Sequence, residues 1–198
     1  MEKLYSEACE RNKFPILEKL EILFARSKSI LEIGSGTGQH AVFFADNLPH
    51  LIWQTSDLIY SHESINAWIS ESAAKNILKP LLLDVSEYDF KNLSFDGAFT
   101  ANTFHIMSLD NVKQTFLGLK NVLNNQALFC IYGPFKYKGK HTSQSNYEFD
   151  LFLNERDPQS SIRDIEEIIN IAENNNFALI NDFAMPSNNR LIVFKFKK

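Results

Sequence analysis

The sequence predicts an α/β fold: a mostly parallel seven-stranded sheet, with an antiparallel last strand and helices on both faces. Three observations support this prediction. Residues 29–45 read as a strand, a glycine loop and a helix. Apolar strand patterns then alternate with helical patterns as far as residue 132. The last two strand patterns, at residues 177–183 and 190–196, are separated by a loop short enough for an antiparallel hairpin.

The composition is that of one globular domain spanning residues 1–198. Hydrophobic residues make up 44% of the chain and charged residues 22%, both near the globular average. A net charge of −4, without a basic stripe, disfavours a nucleic-acid partner. Cys9 and Cys130 are far apart, so neither a disulfide framework nor a zinc site is expected. Without a signal peptide or a membrane-spanning apolar run, we expect a cytoplasmic protein.

The predicted elements begin with a helical lead-in over residues 1–27. Residues 14–24 have apolar residues at helical spacing, with Pro15 expected in the first turn of that helix. After the loop helix, further strands are predicted, and the carboxyl ends of parallel strands meet at one edge of a sheet. These further strands are expected at residues 51–57, 80–85, 95–102 and 127–132.

The glycine loop follows the first predicted strand and carries the clearest functional signal. Glu32 stands two residues before Gly34, and glycines recur at Gly36 and Gly38. A dinucleotide-binding loop would have its third glycine where Gln39 stands. The pattern E-x-G-x-G-x-G instead resembles the motif of class I S-adenosylmethionine-dependent methyltransferases. This resemblance implies that Glu32 serves the cofactor's ammonium group and that the glycines pass beneath its ribose and methionine.

Acidic and polar residues mark the ends of the following strands. Asp57 lies nineteen positions after Gly38 at a strand end, which is the spacing of a ribose-binding carboxylate. The family resemblance places Asp84 at the adenine amine, although helix capping or a turn would also explain it. The predicted S-adenosylmethionine site comprises Glu32, Gly34, Ser35, Gly36, Gly38, Asp57, Asp84 and Asn102.

Several stretches together resemble one branch of this superfamily, the methyltransferase-like protein 26 family. Ser161 departs from the glycine expected before the Ile-Arg-Asp run of that family. The resemblance implies a class I fold and cofactor binding, says little about the substrate, and places Asn12, Arg163 and Asn189 near the substrate mouth. The stretches occur in order at residues 10–17, 32–40, 102–106, 132–135, 142–150, 156–158, 162–164 and 185–189.

A long polar connection, residues 136–160, is predicted to hold a short helix that covers a site as a lid or substrate segment. Ser161 is expected to cap the last helix, with Asp164 and Glu166 in its early turns. Arg163 would then lie at a helix start, against the preference of the helix dipole. Such a local inconsistency often marks function.

The leading hypothesis is a cytosolic methyltransferase for a small molecule, because the chain is little longer than the bare fold. Protein methylation stays open. His105 is the candidate general base and Tyr132 could orient the acceptor or cofactor, although a packed histidine and a rim tyrosine are alternatives. No metal is expected. A catalytically silent cofactor-binding module acting through a protein partner is the second hypothesis. A nicotinamide-dependent dehydrogenase is disfavoured by Gln39 and by the predicted terminal hairpin.

Overall fold

The structure is a computed structural model that describes residues 2–87 and 93–198. No helix within these ranges is long and apolar enough to cross a membrane. The strands are β1 (Ser29–Glu32), β2 (Ile52–Asp57), β3 (Ile77–Leu82), β4 (Phe95–Ala101), β5 (Leu123–Gly133), β6 (Phe135–Tyr137), β7 (Lys140–His141), β8 (Arg163–Asp164), β9 (Phe177–Met185) and β10 (Asn189–Phe196). The helices are α1 (Glu7–Leu23), α2 (Gln39–Asn47), α3 (His62–Glu71), α4 (Leu109–Val122), α5 (Gln144–Arg156) and α6 (Ile165–Glu173).

The main sheet has seven strands in the order β3-β2-β1-β4-β5-β10-β9. Strands β1 to β5 pair in parallel, and β10 runs antiparallel to both of its neighbours. The predicted fold class is therefore confirmed. Because β1 lies beside β4, the chain reverses its direction of travel across the sheet there. The carboxyl ends of these two strands flank a crevice, which is where open α/β sheets bind ligands.

Two apolar clusters cover the faces of the sheet. Ile30 packs with α1 and α2, whereas its neighbour Leu31 packs in the cluster of α4 and α6. Successive strand residues point to opposite faces, which explains this alternation. The phenylalanine-rich composition serves packing: Phe116 contacts the rings of Phe129 and Phe177 at centroid distances of 5.5 and 5.4 Å.

The first helix is longer than predicted. It begins at Glu7, where the Ser6 hydroxyl accepts from the N–H of Cys9 at 3.4 Å, so the expected polar lead-in is helical. Pro15 consequently lies inside α1 and not in its first turn. Proline removes one helical hydrogen bond, to the carbonyl four residues earlier. That residue, Arg11, is exposed, so water can replace the lost donor.

The connection after β5 is more regular than predicted. It contains β6, β7 and a thirteen-residue α5, and β8 joins β6 and β7 in a small second sheet. The cap expected from Ser161 is wrong: Asp164 caps α6 by accepting from the N–H of Glu166. Arg163 lies in β8 and not at a helix start, so the argument from the helix dipole was also wrong.

Candidate functional site

A cavity of about 780 Å³ lies at the carboxyl ends of β1 to β4. Its volume is in the range of small-molecule sites. We distinguish two parts of its wall. The glycine-loop end consists of Glu32, residues 34–37, Asp57 and Asp84, and the α5 end consists of His105, Asn146, Phe149 and Asn189.

The glycine loop turns through three residues with positive φ: 69° at Gly34, 57° at Gly36 and 94° at Gly38. A Cβ at Gly38 would lie 2.9 Å from the Cα of Ile65, so the packing of α3 on the loop requires glycine there. A Cβ at Gly36 would meet no atom of the described residues within 4 Å. Gly36 lines the cavity, so its missing side chain leaves room for a ligand.

Gln39 occupies the position where a dinucleotide loop would have its third glycine. Its Oε1 accepts from the N–H of Ser6 at 2.5 Å, and its Nε2 donates to Glu10 Oε1 at 3.2 Å. These bonds join the loop to the start of α1. They bring Cys9 to the wall of the cavity.

Glu32 ends β1 and is buried, with 2% of its surface exposed. Ser35 Oγ and Trp53 Nε1 donate to its Oε2 at 2.9 and 3.1 Å, and no hydrogen bond from the described residues reaches Oε1. Burial raises the pKa of Glu32 to about 7; the two hydrogen bonds oppose this shift and the charge of Asp57 adds to it. A cation bound nearby would favour the carboxylate form.

Asp57 ends β2 and faces the glycine loop. Its Oδ2 accepts from the N–H of Gly36 and its Oδ1 from the N–H of Leu58, both at 2.7 Å. Burial raises the pKa of Asp57, and these bonds oppose the shift. Asp84 accepts from the hydroxyl and N–H of Ser86, which lowers its pKa. Asp84 thus forms a turn, the alternative role that the sequence left open, and also lines the cavity.

The loop after β4 carries the candidate base. Asn102 has a φ of 58°, and its N–H donates to the carbonyl of Tyr132 at 2.9 Å. His105 is 7% exposed, and neither ring nitrogen has a hydrogen-bond partner in the part of the chain that the structure describes. Burial, reinforced by the charges of Arg163 and Arg156, lowers the pKa of His105 to about 4. The imidazole is therefore neutral at pH 7, and one of its ring nitrogens has a lone pair that can accept a hydrogen bond.

Arg163 lies behind this loop and does not line the cavity. Its guanidinium donates to the carbonyls of Phe104 at 3.1 Å, Gln159 at 2.7 Å and Met107, and to the hydroxyl of Ser161 at 3.1 Å. These bonds tie the loop after β4 to the segment before α6. They give Arg163 a positioning role.

A buried polar network lies between α1, α2 and β5. Burial lowers the pKa of His40 to about 4, so its ring is neutral at pH 7. Because the amide oxygen Asn12 Oδ1 can only accept, His40 Nε2 carries the ring proton and donates to it at 2.6 Å. Cys9 Sγ is 3.7 Å from His40 Nδ1. Burial raises the pKa of Tyr132, and hydrogen bonds with Asn12 and Asn189 oppose that rise. Asn12 and Tyr132 thus support the wall of the cavity from behind.

The segment that was predicted to cover a site supplies one wall through α5. Asn146 and Phe149 lie one turn apart on this helix and both line the cavity. Asn146 Nδ2 donates to Thr142 Oγ1 at 2.9 Å and to the carbonyl of Asn188 at 3.1 Å. The ring of Phe149 meets that of His105 edge to face, with 5.2 Å between centroids.

Most of the residues predicted from sequence meet at this cavity. Gly38, Asn12, Tyr132 and Arg163 do not line it. Those that do are Glu32, Gly34, Ser35, Gly36, Asp57, Asp84, Asn102, His105 and Asn189.

Many lining residues were not among the predicted ones, and they include Cys9, His40, Asn146 and Phe149. His40 closely follows the glycine motif, so its place near the loop could have been predicted. Asn146 and Phe149 stand three positions apart, a spacing that places two residues on the same face of a helix. Cys9 had no such signal. The described ranges contain no group of three or more His, Cys, Asp or Glu side chains that could hold a metal ion.

Solved structures share this fold at low sequence identity. An O-methyltransferase family protein from Burkholderia thailandensis aligns with a TM-score of 0.82 and 13% identity, over 97% of this chain and 58% of that chain. The S-adenosylmethionine-dependent methyltransferase SibL gives 0.81 and 15%, over 96% and 56%. PigF, in a structure with SAH, gives 0.77 and 14%, over 93% and 61%. The chain thus spans less than two thirds of the length of these proteins.

The fold is Rossmann-like and is shared with these methyltransferases. A family model described as a protein of unknown function, DUF938, matches residues 3–196. The chain belongs to this family. Its resemblance to the methyltransferase-like protein 26 family stays a prediction.

Proposed function

We propose that this protein is an S-adenosylmethionine-dependent methyltransferase with a small-molecule acceptor. One observation carries the proposal. The carboxylates of Glu32, Asp57 and Asp84 and the open side of Gly36 line a single cavity at the carboxyl ends of adjacent parallel strands. This is the arrangement that a nucleoside with a cationic tail requires.

The glycine-loop end fits the cofactor group by group. Each oxygen of Asp57 accepts one backbone N–H, and a carboxylate offers about four lone-pair sites, so both oxygens can also accept from ribose hydroxyls. Glu32 would face the ammonium group with its unpartnered Oε1. Asp84 would accept from the adenine amine. Gly36 would allow the ribose to approach the backbone closely.

When bound, S-adenosylmethionine supplies a methyl carbon on a positively charged sulfur, and that sulfur keeps the electron pair of the broken bond. The chain's contribution is positioning, which can lower such a barrier by about 7–11 kcal/mol. At the α5 end, neutral His105 would accept the proton that a hydroxyl acceptor loses as its oxygen forms the new bond. The surrounding walls, from α1, α5 and the β9–β10 turn, would exclude water.

The relatives support this reading without fixing the acceptor. Proteins with the same fold include ones named as O-methyltransferases. For this chain, a cavity of about 780 Å³ that is walled on one side by α5 suits a small acceptor better than a folded protein.

Calorimetric titration with S-adenosylmethionine tests the cofactor site. We expect micromolar binding, and at least a hundredfold loss in Asp57→Ala, because charge-assisted hydrogen bonds contribute about 1.5–3 kcal/mol each. Asp96→Ala is the matched control. Asp96 also accepts two backbone N–H groups, of Lys28 at 2.8 Å and Ser29 at 3.3 Å, but it does not line this cavity.

Activity is measured separately, as formation of S-adenosylhomocysteine with metabolite extracts. Failure of the unaltered protein to bind S-adenosylmethionine would contradict the proposal. Binding without any S-adenosylhomocysteine formation would favour the silent cofactor-binding module instead.

A further inference from the structure

We propose that the acceptor is an uncharged aromatic compound that bears a hydroxyl or N–H donor, bound at the α5 end. This inference rests on the proposed function and names its substrate class. It follows from the charges, the free hydrogen-bonding atoms and the ring surfaces at that end of the cavity. Each of these points to the same class of ligand.

An anionic acceptor would lack a cationic partner. Among the described residues that line the cavity there is no lysine or arginine. Arg163, the cation behind the loop after β4, directs its guanidinium at three backbone carbonyls and one hydroxyl. Arg156 is exposed and does not line the cavity. A carboxylate or phosphate would therefore lose its water without gaining a charged donor, which is costly.

A cationic acceptor is disfavoured for the opposite reason. Asp157, which follows α5 and lines the cavity, already accepts from the N–H of Gln159 at 3.0 Å and from the hydroxyl of Ser160 at 3.1 Å. Asp150 is bound to Lys136 at 3.4 Å and to His141 at 2.7 Å. A cation at the α5 end would therefore lose its water without gaining a carboxylate that is free to pair with it. An uncharged ligand meets neither penalty.

The free polar atoms at the α5 end call for a ligand that donates hydrogen bonds. The carbonyl of Asn188 can only accept a hydrogen bond, so the amide nitrogen of Asn146 must point towards it. That nitrogen donates to the Asn188 carbonyl and to Thr142 Oγ1. Asn146 Oδ1 has no hydrogen bond from the described residues. His105 is 7% exposed. Its neutral ring also has a nitrogen that can accept a hydrogen bond and receives none from the described residues. A hydroxyl or N–H would satisfy either atom.

The ring surfaces indicate an aromatic ligand. Phe149 stands edge to face with His105 at an interplanar angle of 74°, and 36% of Phe149 remains exposed where it lines the cavity. A flat ring placed against it would bury apolar surface and would also gain a stacked or edge-to-face contact.

Ligand-observed NMR with three matched probes tests the inference on the full chain. The probes are catechol, which is neutral, 3,4-dihydroxybenzoate, which is anionic, and 3,4-dihydroxybenzylamine, which is cationic at pH 7. We expect catechol to bind at least tenfold more tightly than either charged probe. Equal or tighter binding of a charged probe would overturn the inference.

Two variants on α5 locate the binding. Phe149→Ala should weaken catechol at least fivefold, whereas Phe152→Ala should not, since Phe152 is 56% exposed and does not line the cavity. Calorimetry with S-adenosylmethionine should give the same affinity for both variants, which shows that each is folded. Unchanged catechol binding in Phe149→Ala would also overturn the inference.

A parallel assay keeps this inference apart from the proposed function. Metabolite extracts separated by ion exchange into neutral, anionic and cationic fractions are incubated with the protein and methyl-labelled S-adenosylmethionine. Label in the neutral fraction supports both proposals. Label only in a charged fraction supports the methyltransferase and overturns the acceptor class. Label in no fraction, although the cofactor binds, overturns the methyltransferase and with it the acceptor.

Discussion

The two ends of the cavity are built in different ways. At the glycine-loop end, Glu32 and Asp57 are the last residues of their strands and Asp84 lies two residues beyond β3, so the sheet itself places all three carboxylates. At the α5 end, His105, Asn146 and Asn189 come from a loop, a helix and a hairpin. Their relative positions depend on side-chain hydrogen bonds, from Arg163 to the carbonyl of Phe104 and from Asn146 to the carbonyl of Asn188. The sheet topology thus determines the residue positions at the glycine-loop end, whereas tertiary contacts between separate segments determine them at the α5 end.

Replacement of the Arg163 guanidinium should give the largest difference in effect between the two ends of the cavity. Arg163→Lys removes most donors to the carbonyls of Phe104, Met107 and Gln159, so the free energy of unfolding should fall by about 2–4 kcal/mol. The affinity for S-adenosylmethionine should stay within twofold, since the glycine-loop end does not contain this residue. Urea unfolding and calorimetry measure the two quantities.

Arg156→Lys serves as the control for that variant because Arg156 is exposed. It should change the unfolding free energy by less than about 0.5 kcal/mol. If Arg163→Lys were equally mild, Arg163 would not be the residue that assembles the α5 end.

A pair of glycines tests whether the glycine-loop end is shaped for a ligand. Gly36 and Gly139 both have positive φ, 57° and 72°, and an added Cβ would meet no described atom within 4 Å at either. Substitution by alanine should therefore lower the free energy of unfolding by about 1 kcal/mol at each position. Gly36→Ala should also weaken the binding of S-adenosylmethionine at least tenfold, because Gly36 lines the cavity and Gly139 does not. Equal affinities of the two variants would contradict close approach of the cofactor at Gly36.

The same difference explains how far the sequence could predict the site. Glu32, Asp57 and Asp84 adjoin strand ends along the chain, so strand patterns and glycine spacing were sufficient to bring them together. Asn12 and Arg163 were chosen because they are polar and lie in stretches that resemble the family. Their burial directs those polar groups at other parts of the protein, which a single sequence does not encode locally.

The capping of α6 shows the same limit at the level of secondary structure. Ser161 and Asp164 are both good N-cap residues, three positions apart. The choice between them depends on Arg163 and Asp164 pairing with Phe135 and Lys136 in β6, a contact between segments almost thirty residues apart. Local propensity was therefore ambiguous, and the long-range pairing decided the start of the helix.

Protonation of Glu32 should have the smallest of the expected effects, and it tests the role of one carboxylate at the glycine-loop end. Its pKa in the unbound protein is raised by burial to about 7, so below that pH a proton must leave before the carboxylate can face an ammonium group. Affinity for S-adenosylmethionine should therefore rise with pH, by about tenfold between pH 6 and 8 for one such group. Calorimetry in two buffers of different ionisation enthalpy should also detect proton release at pH 6.

Glu32→Gln separates this carboxyl from any titration of the ligand. The variant should bind S-adenosylmethionine with a flatter pH dependence and release fewer protons. The unbound protein provides an independent check on sign. A carboxyl whose pKa is higher in the folded than in the unfolded state binds more protons when folded, so it lowers the unfolding free energy as pH rises from about 4.5 to 7. Glu32→Gln should remove that decline, and an unchanged slope would mean that Glu32 ionises normally and carries no proton into cofactor binding.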